Sequence, residues 1–325
     1  KKSKEINSWV ISKLAPSLKD IDNGNFLQKF QEYLENPEMY KKERFILKAA
    51  SYLATKWEFS IVYQTSQFLN DIEDVKKSVD EEIEDYYELI GVRKIALNKK
   101  LAKIIDLSGR LRFQKRWAQT PRVPETSVLG HMLTVAIFGY FFSIEVNACD
   151  KRLQNNCLTA LFHDLPEALT RDIITPVKYC VDELSDIIAE YEIEKIEDDI
   201  LPNIPDILHD EFSYLLGLYD GVKEEFENKI YEDKIQIVED VSKYNSDRYN
   251  AIDGLALKQC DKLSAFVEAS LSISHGIKSK ELISGKKEIL KALKVIQGVD
   301  FKAIATQIDY EFGTTGQTQV RMEFD

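Results

Sequence analysis

The sequence predicts an all-α fold, and three observations carry that prediction. Over 325 residues it holds only 13 Gly and 8 Pro, the two residues that most readily interrupt a helix. Leu, Ile, Lys, Glu and Ala are abundant among the rest. Apolar residues recur at helical spacing through most of the chain, whereas strand-like alternation is scarce.

Taken in order, the pattern predicts helices near 26–35, 39–66, 71–90, 93–107, 127–146, 152–168, 177–199, 222–244, 248–274 and 279–296. Asn36-Pro37-Glu38 reads as the start of the second, with Pro at the first helical position. The best strand candidates are Gln317 to Phe324 and a short piece at 300–305, and neither changes the fold class. No repeat of solenoid period is present. A soft boundary falls near residue 108. Residues 1–107 form a helical region without chemical landmarks, expected to pack on the core of residues 108–275 and complete it. Residues 108–275 hold every motif, with a strongly acidic, helical stretch near 182–240. Residues 276–325 read as a C-terminal helix and tail.

Composition excludes several function classes. The formal charge of −12 argues against a nucleic-acid polymer as main partner, because such binding needs a dense basic surface. The basic stretch from Arg93 to Arg116 is interleaved with apolar residues and reads mostly as the solvated face of a helix. No run of about 18 apolar residues predicts a membrane span, and the longest apolar stretch, Val135 to Val146, contains Ser143 and Glu145. Lys1-Lys-Ser-Lys-Glu5 is not followed by an apolar segment, so no secretory signal is expected. Cys149, Cys157, Cys180 and Cys260 show no zinc spacing and read as reduced thiols, which makes the cytoplasm the expected location.

Four segments carry chemistry. Arg116-Trp117 closes a basic stretch. His131 begins an apolar helix. His163-Asp164 follows the apolar run Leu158 to Phe162 and precedes Glu167, Asp172 and Thr175-Pro176-Val177-Lys178. Asp261 lies in Gln259-Cys-Asp-Lys-Leu-Ser-Ala265, inside a long predicted helix. An ionised carboxylate directly after an apolar run is costly unless paired, and a cation held jointly with the neighbouring imidazole satisfies it. Glu167, four residues after His163, projects to the same side of a helix and there supports the site or serves as general base. Two imidazoles and two carboxylates from three helices make a mixed N/O site. That donor set suits Mn²⁺, Co²⁺, Fe²⁺, Ni²⁺ or Zn²⁺ better than Ca²⁺, with Mg²⁺ a further candidate.

Singly, each member has a plainer explanation. A histidine beginning an apolar helix is more often a core or capping residue, and Asp261 beside Lys262 fits an ordinary helix ion pair. The chain also contains a second His-Asp pair, His209-Asp210, without the downstream context, so the dipeptide alone carries nothing. The ordered set lifts the reading.

That set resembles the H…HD…D signature of the HD-domain metal-dependent phosphohydrolases. Arg116-Trp117, His-Asp-x-x-Glu, Thr170-x-Asp172, Thr175-Pro-Val-Lys178 and Asp261-Lys-Leu-Ser-Ala265 look more closely like the HD-domain 5′-deoxynucleotidase branch. The resemblance covers roughly residues 108–275. It implies an HD-domain-like helical bundle with additional N-terminal helices, and His131, His163, Asp164 and Asp261 as metal ligands. It implies Glu167 as the acid/base that activates water and Asp172 as a group contacting the sugar or aligning the nucleophile. Arg116 then holds the phosphate, Trp117 shapes the nucleoside pocket, and Thr175, Pro176 and Lys178 border it. A homodimer is implied by the resemblance and by no residue pattern. The stretch from Asp172 to Asp261 is about 30 residues longer than the resemblance predicts for compact members, which bears on substrate size.

The physical logic points the same way. A divalent cation makes water a ready nucleophile near neutral pH, and the planar fork of Arg116 matches two phosphate oxygens as Lys115 cannot. No Walker loop and no Gly-x-Ser-x-Gly elbow is present. The expected activity is phosphate release from a (deoxy)nucleoside 5′-monophosphate, a small nucleotide being the partner and no membrane being involved. Two alternatives stay open. One is a phosphodiesterase or triphosphohydrolase on the same centre, for which Arg112, Arg116, Arg122, Arg171 and Lys178 supply few cations. The other is a non-catalytic regulatory or binding module with a vestigial site.

Overall fold

The structure is a computed structural model that describes residues 2–97, 100–170 and 184–318. The chain divides into two compact units, Lys1–Asp106 and Leu107–Asp325.

The first unit is helical. It comprises α1 (Lys2–Leu18), α2 (Asn25–Glu35), α3 (Lys41–Thr65), α4 (Ile72–Glu81), α5 (Ile90–Ala96) and the first part of α6 (Lys100–Arg110). Ala49, Tyr52, Ile83 and Val92 form its core, and the Tyr52 hydroxyl donates to the Val79 carbonyl at 2.6 Å. α1 lies outside the predicted helices. Its apolar Ile6, Trp9 and Leu14 are largely exposed, so it carries no strong one-sided pattern. Pro37 does not open α3. The Asn36 side chain accepts from the Glu38 amide at 3.0 Å, which makes a turn there and delays the helix to Lys41.

The second unit is built on α7 (Val128–Glu145), α8 (Asp150–Phe162) and a third long helix, Gly254–Ser274. α7 buries Val128, His131, Met132, Val135, Ala136, Gly139 and Phe142, a three-and-four spacing that marks one face. By length and composition α7 is apolar enough to cross a membrane, although its buried face packs against α8. After α8 come α9 (Glu167–Thr170), α10 (Leu184–Lys195) and α11 (His209–Leu215), with a π turn at Ile196–Ile200. The helix predicted over 152–168 therefore breaks after Phe162. Pro166 has no amide hydrogen to continue it, and the chain turns instead through Leu165 N–H to Phe162 O and Glu167 N–H to Asp164 O.

The helix predicted over 222–244 is absent, and the acidic stretch is only partly helical. β1 (Leu218–Tyr219) and β2 (Val222–Lys223) form a hairpin, while β3 (Asn228–Tyr231) pairs antiparallel with both β4 (Ile235–Ile237) and β5 (Ile252–Asp253). The cause is local. Asp220 and Gly221 both have positive φ (47° and 75°), the two-residue turn that Asp-Gly favours, and β-branched and aromatic residues flank it. Gln297-Gly298 repeats the device (φ 48° and 85°) between β6 (Val295–Ile296) and β7 (Val299–Asp300). The strand expected at 300–305 is thus only its first residue. Asp300 then accepts from the Lys302 and Ala303 amides, each at 3.0 Å, and starts a helix.

Three helices complete the unit: α12 (Gly254–Ser274), α13 (Lys280–Ala292) and α14 (Phe301–Thr318). The expected strand at 317–324 begins inside α14, and its remainder lies outside the described residues. The core joins Val135 and Phe142 of α7, Ala160 of α8, Leu257, Cys260 and Phe266 of α12, and Phe301 and Ala305 of α14, all buried. α7 and α12 approach closely at Gly139, where a Cβ would sit 3.0 Å from the Leu257 side chain. Gly254 is tighter still: its Cβ would fall 2.2 Å from the Glu227 carbonyl oxygen, so the acidic segment Glu224–Glu227 lies directly on the start of α12.

Candidate metal centre

His131 sits in the first turn of α7, which Ser127 caps by accepting the Gly130 amide at 3.1 Å. His163 terminates α8, and its ring is turned by Nδ1, which donates to the Ala160 carbonyl at 2.8 Å. That bond fixes the tautomer and leaves Nε2 as the free ring nitrogen. Nε2 is 3.2 Å from Asp164 Oδ2 but lacks hydrogen-bond geometry, and it has no hydrogen-bond partner among the described residues. The two rings lie 6.0 Å apart, and donor atoms of His131, His163 and Asp164 all fall within 4.8 Å of one another. Asp261 comes from α12, with Oδ1 2.9 Å from His131 Nε2. His131 is fully buried and His163 is 2 % exposed, while the Asp164 and Asp261 side chains keep 17 % and 28 %.

This arrangement fits a divalent cation. A buried imidazole nitrogen without a hydrogen-bond partner among the described residues stands with carboxylates and a second imidazole, the donor types that first-row metals take.

Electrostatics agree. Burial works against charge on both rings, as does Arg116 for His131, yet their carboxylate neighbours raise His131 and push His163 up to about 9. Burial pushes the Asp164 and Asp261 carboxyls up, but the imidazole beside each and then Arg116 outweigh it and hold both below the usual carboxylate range. The flanking carboxylates favour positive charge at the two imidazoles, and the same negative surroundings suit a divalent cation.

The remaining expected residues surround this cluster unevenly. Glu167 is buried at the start of α9, its carbonyl accepting from Gln114 Nε2 at 2.9 Å; it is on a new turn, not on the helix of His163. Arg116 is held by its amide, which donates to the Thr126 carbonyl at 2.9 Å, and its charge acts on Asp164, Asp261 and Glu268. Trp117 donates its indole N–H to Glu268 Oε2 at 3.0 Å. A cleft of about 310 Å³ runs along this loop, lined by Lys115, Arg116, Trp117, Gln119, Arg122 and Glu125. Asp172, Thr175, Pro176 and Lys178 lie outside the described residues. His209 of the second His-Asp pair is elsewhere, its Nε2 2.9 Å from the Ile204 carbonyl.

Two residues acquire places that the motifs did not give them. Glu268 faces His131 Nδ1 with Oε1 at 2.9 Å. Arg122, counted among the cations for a phosphate, instead donates to Glu268 Oε2 at 3.2 Å and is buried. The available signal was spacing: Asp261, Ser264 and Glu268 stand three and seven residues apart, on one helical face. From the insertion, Phe226 packs its ring 5.6 Å from that of His163.

Residues 108–290 match the family profile described as HD domain. A 5′-deoxynucleotidase of Cronobacter sakazakii is 28% identical over 193 residues, covering 57% of this chain and 79% of that protein. The 5′-deoxynucleotidase YfbR of Salmonella arizonae is 29% identical over 198 residues, covering 59% and 84%. Among solved structures, an HD-domain phosphohydrolase of Listeria innocua aligns with a TM-score of 0.43 at 19% identity, over 68% of this chain and 86% of that one. A cyanophage S-2L HD phosphohydrolase, DatZ, bound to dA and one catalytic Zn²⁺ ion, aligns with a TM-score of 0.37 at 15% identity, over 66% and 96%.

Proposed function

This chain belongs to the HD domain family and is a hydrolase, and on that premise we propose that it releases phosphate from deoxynucleoside 5′-monophosphates. The observation that carries the reading is the convergence of His131, His163 and Asp164 on one point, with Asp261 against His131. The names of relatives at 28% and 29% identity support the substrate class.

In this reading His131, His163, Asp164 and Asp261 hold one divalent cation, with Mn²⁺, Co²⁺, Fe²⁺, Ni²⁺ or Zn²⁺ favoured by the N/O donor set. A cation held by these residues would supply Lewis-acid charge for the hydrolysis. Glu167, buried beside Asp164, takes the proton from the attacking water and returns it to the departing 5′ oxygen. Arg116 binds two phosphate oxygens with its planar fork and neutralises charge there. Trp117 borders the cleft that takes the nucleoside. By the family resemblance, Asp172 would act on the sugar or the nucleophile and Thr175, Pro176 and Lys178 on the nucleotide; all four lie outside the described residues.

The test is a phosphate-release screen of all nucleoside and deoxynucleoside monophosphates with each of these metals. Release from deoxynucleotides is the expected result. Absence of phosphate from every nucleotide with every metal, in protein shown to bind the metal, overturns the proposal.

A further inference from the structure

We propose that Glu268 is a positioning residue that sets the His131 imidazole and the Arg116–Trp117 loop in one register. The inference rests on the reading of the cluster as a metal centre and extends it to a residue outside the motifs.

Glu268 lies in the middle of α12 and is only 5 % exposed. Its two carboxylate oxygens serve different parts of the site. Oε1 faces His131 Nδ1 at 2.9 Å, beside Ser264 Oγ at 3.0 Å. Oε2 accepts from Trp117 Nε1 at 3.0 Å and from Arg122 Nη1 at 3.2 Å. Arg122 is itself tied down, donating from Nε to Ser272 Oγ at 3.2 Å and from Nη2 to Thr126 Oγ1 at 3.0 Å. One buried carboxylate is therefore shared between a metal-binding imidazole and the loop that carries Arg116.

Each half has a physical consequence. A carboxylate on Nδ1 holds the proton there and leaves the Nε2 lone pair for a cation, which orients the ring and raises its basicity. On the loop side, Trp117 has one seat. Its backbone stands at φ 56°, and its ring lies against α13, where a Cβ at Gly285 would be 3.0 Å from it. With the ring seated by Gly285 and its N–H by Glu268, the backbone of the adjacent Arg116 is set relative to His131. The distance from the cation to the phosphate-binding guanidinium is thus held through Trp117, Glu268 and His131.

Glu268→Gln tests this while preserving shape. The amide can still accept from Trp117 and Arg122, but its NH₂ then faces Nδ1 and favours the tautomer with the proton on Nε2. Trp117→Phe removes the indole N–H together with the ring atoms that reach Gly285, so it unseats the loop on both sides. Two readouts need no turnover: Co²⁺ affinity with its visible absorption spectrum, and the affinity of the Co²⁺-loaded protein for inorganic phosphate. Glu268→Gln is expected to weaken Co²⁺ binding by about 10–100-fold, with an altered spectrum. Trp117→Phe is expected to weaken phosphate binding several-fold with the Co²⁺ spectrum near that of the wild type, and Glu268→Leu, which keeps an acceptor for neither side, is expected to weaken both. Should Glu268→Gln not fold, the same two measurements on Trp117→Phe decide, a several-fold loss of phosphate affinity being required. Unchanged Co²⁺ affinity and spectrum in Glu268→Gln overturns the proposal, as does a wild-type phosphate affinity in Glu268→Leu. A protein that binds Co²⁺ and phosphate in this way but cleaves no nucleotide refutes the substrate reading and leaves the register intact.

Discussion

Arg152 of α8 grips Asp253, the residue before α12, through guanidinium hydrogen bonds of 2.7 Å to Oδ2 and 2.5 Å to Oδ1, with both side chains almost fully buried. Asn156 and Gln297 donate to the same carboxylate at 2.8 and 2.6 Å. The pair joins the helix that ends at His163 to the helix that carries Asp261. Asp253→Ala leaves the guanidinium buried without its anion and is expected to cost about 3–5 kcal/mol. Urea unfolding measures it. Metal affinity in the variant should fall as well, because the two helices lose their clamp.

The two His-Asp pairs separate cleanly by metal analysis. His163→Ala should abolish stoichiometric metal binding and phosphate release together. His209→Ala should leave both unchanged, since His209 contacts the Ile204 carbonyl and stands apart from the cluster. Metal content of the two purified variants decides the point, and loss in His209→Ala contradicts the assignment.

Gly254→Ala should destabilise the second unit by about 1–3 kcal/mol or more, because the added methyl meets the Glu227 backbone, which cannot yield like a side chain. Gly313→Ala is the counterpart. It lies on the exposed side of α14 with open space around it, and should be neutral or stabilising by up to about 1 kcal/mol. Thermal unfolding of the pair compares them under one set of conditions.

Lys229 predicts a pH dependence of stability. It is fully buried, and burial lowers its ammonium to about 8 despite the nearby Glu225, Glu224 and Glu227. Because the folded value lies below the unfolded one, the unfolded chain binds more protons between about pH 8 and 10.5, and this residue's contribution rises across that window. Below it, the folded state carries a buried charge at a cost on the order of 3 kcal/mol. Lys229→Met should therefore be more stable than the wild type at pH 7, and the gap should close towards pH 10.5. Denaturation curves at several pH values test the sign, and a gap that widens with pH contradicts it.

The helical class and the candidate metal cluster are legible in the sequence because both depend on local or chemically distinctive signals. α7 shows its buried face in the spacing of Val128, Met132, Val135 and Phe142, and His163-Asp164 after an apolar run is conspicuous. The hairpins escape the pattern despite Asp220-Gly221 and Gln297-Gly298, because short strands carry too few residues for alternation to emerge. Glu268 escapes for another reason. A carboxylate in a helix reads as surface until the fold shows His131 on one side of it and Trp117 with Arg122 on the other.

The single face of α12 that bears Asp261, Ser264 and Glu268 constrains how such a chain tolerates changes of length. One residue inserted between Asp253 and Asp261 turns every later side chain by about 100° about the helix axis. Asp261, Ser264 and Glu268 would leave the cluster together, and no point substitution could restore them. Turns such as Asp220-Gly221 bear no such penalty, so insertions and deletions should accumulate there while the count from Asp253 to Glu268 stays fixed.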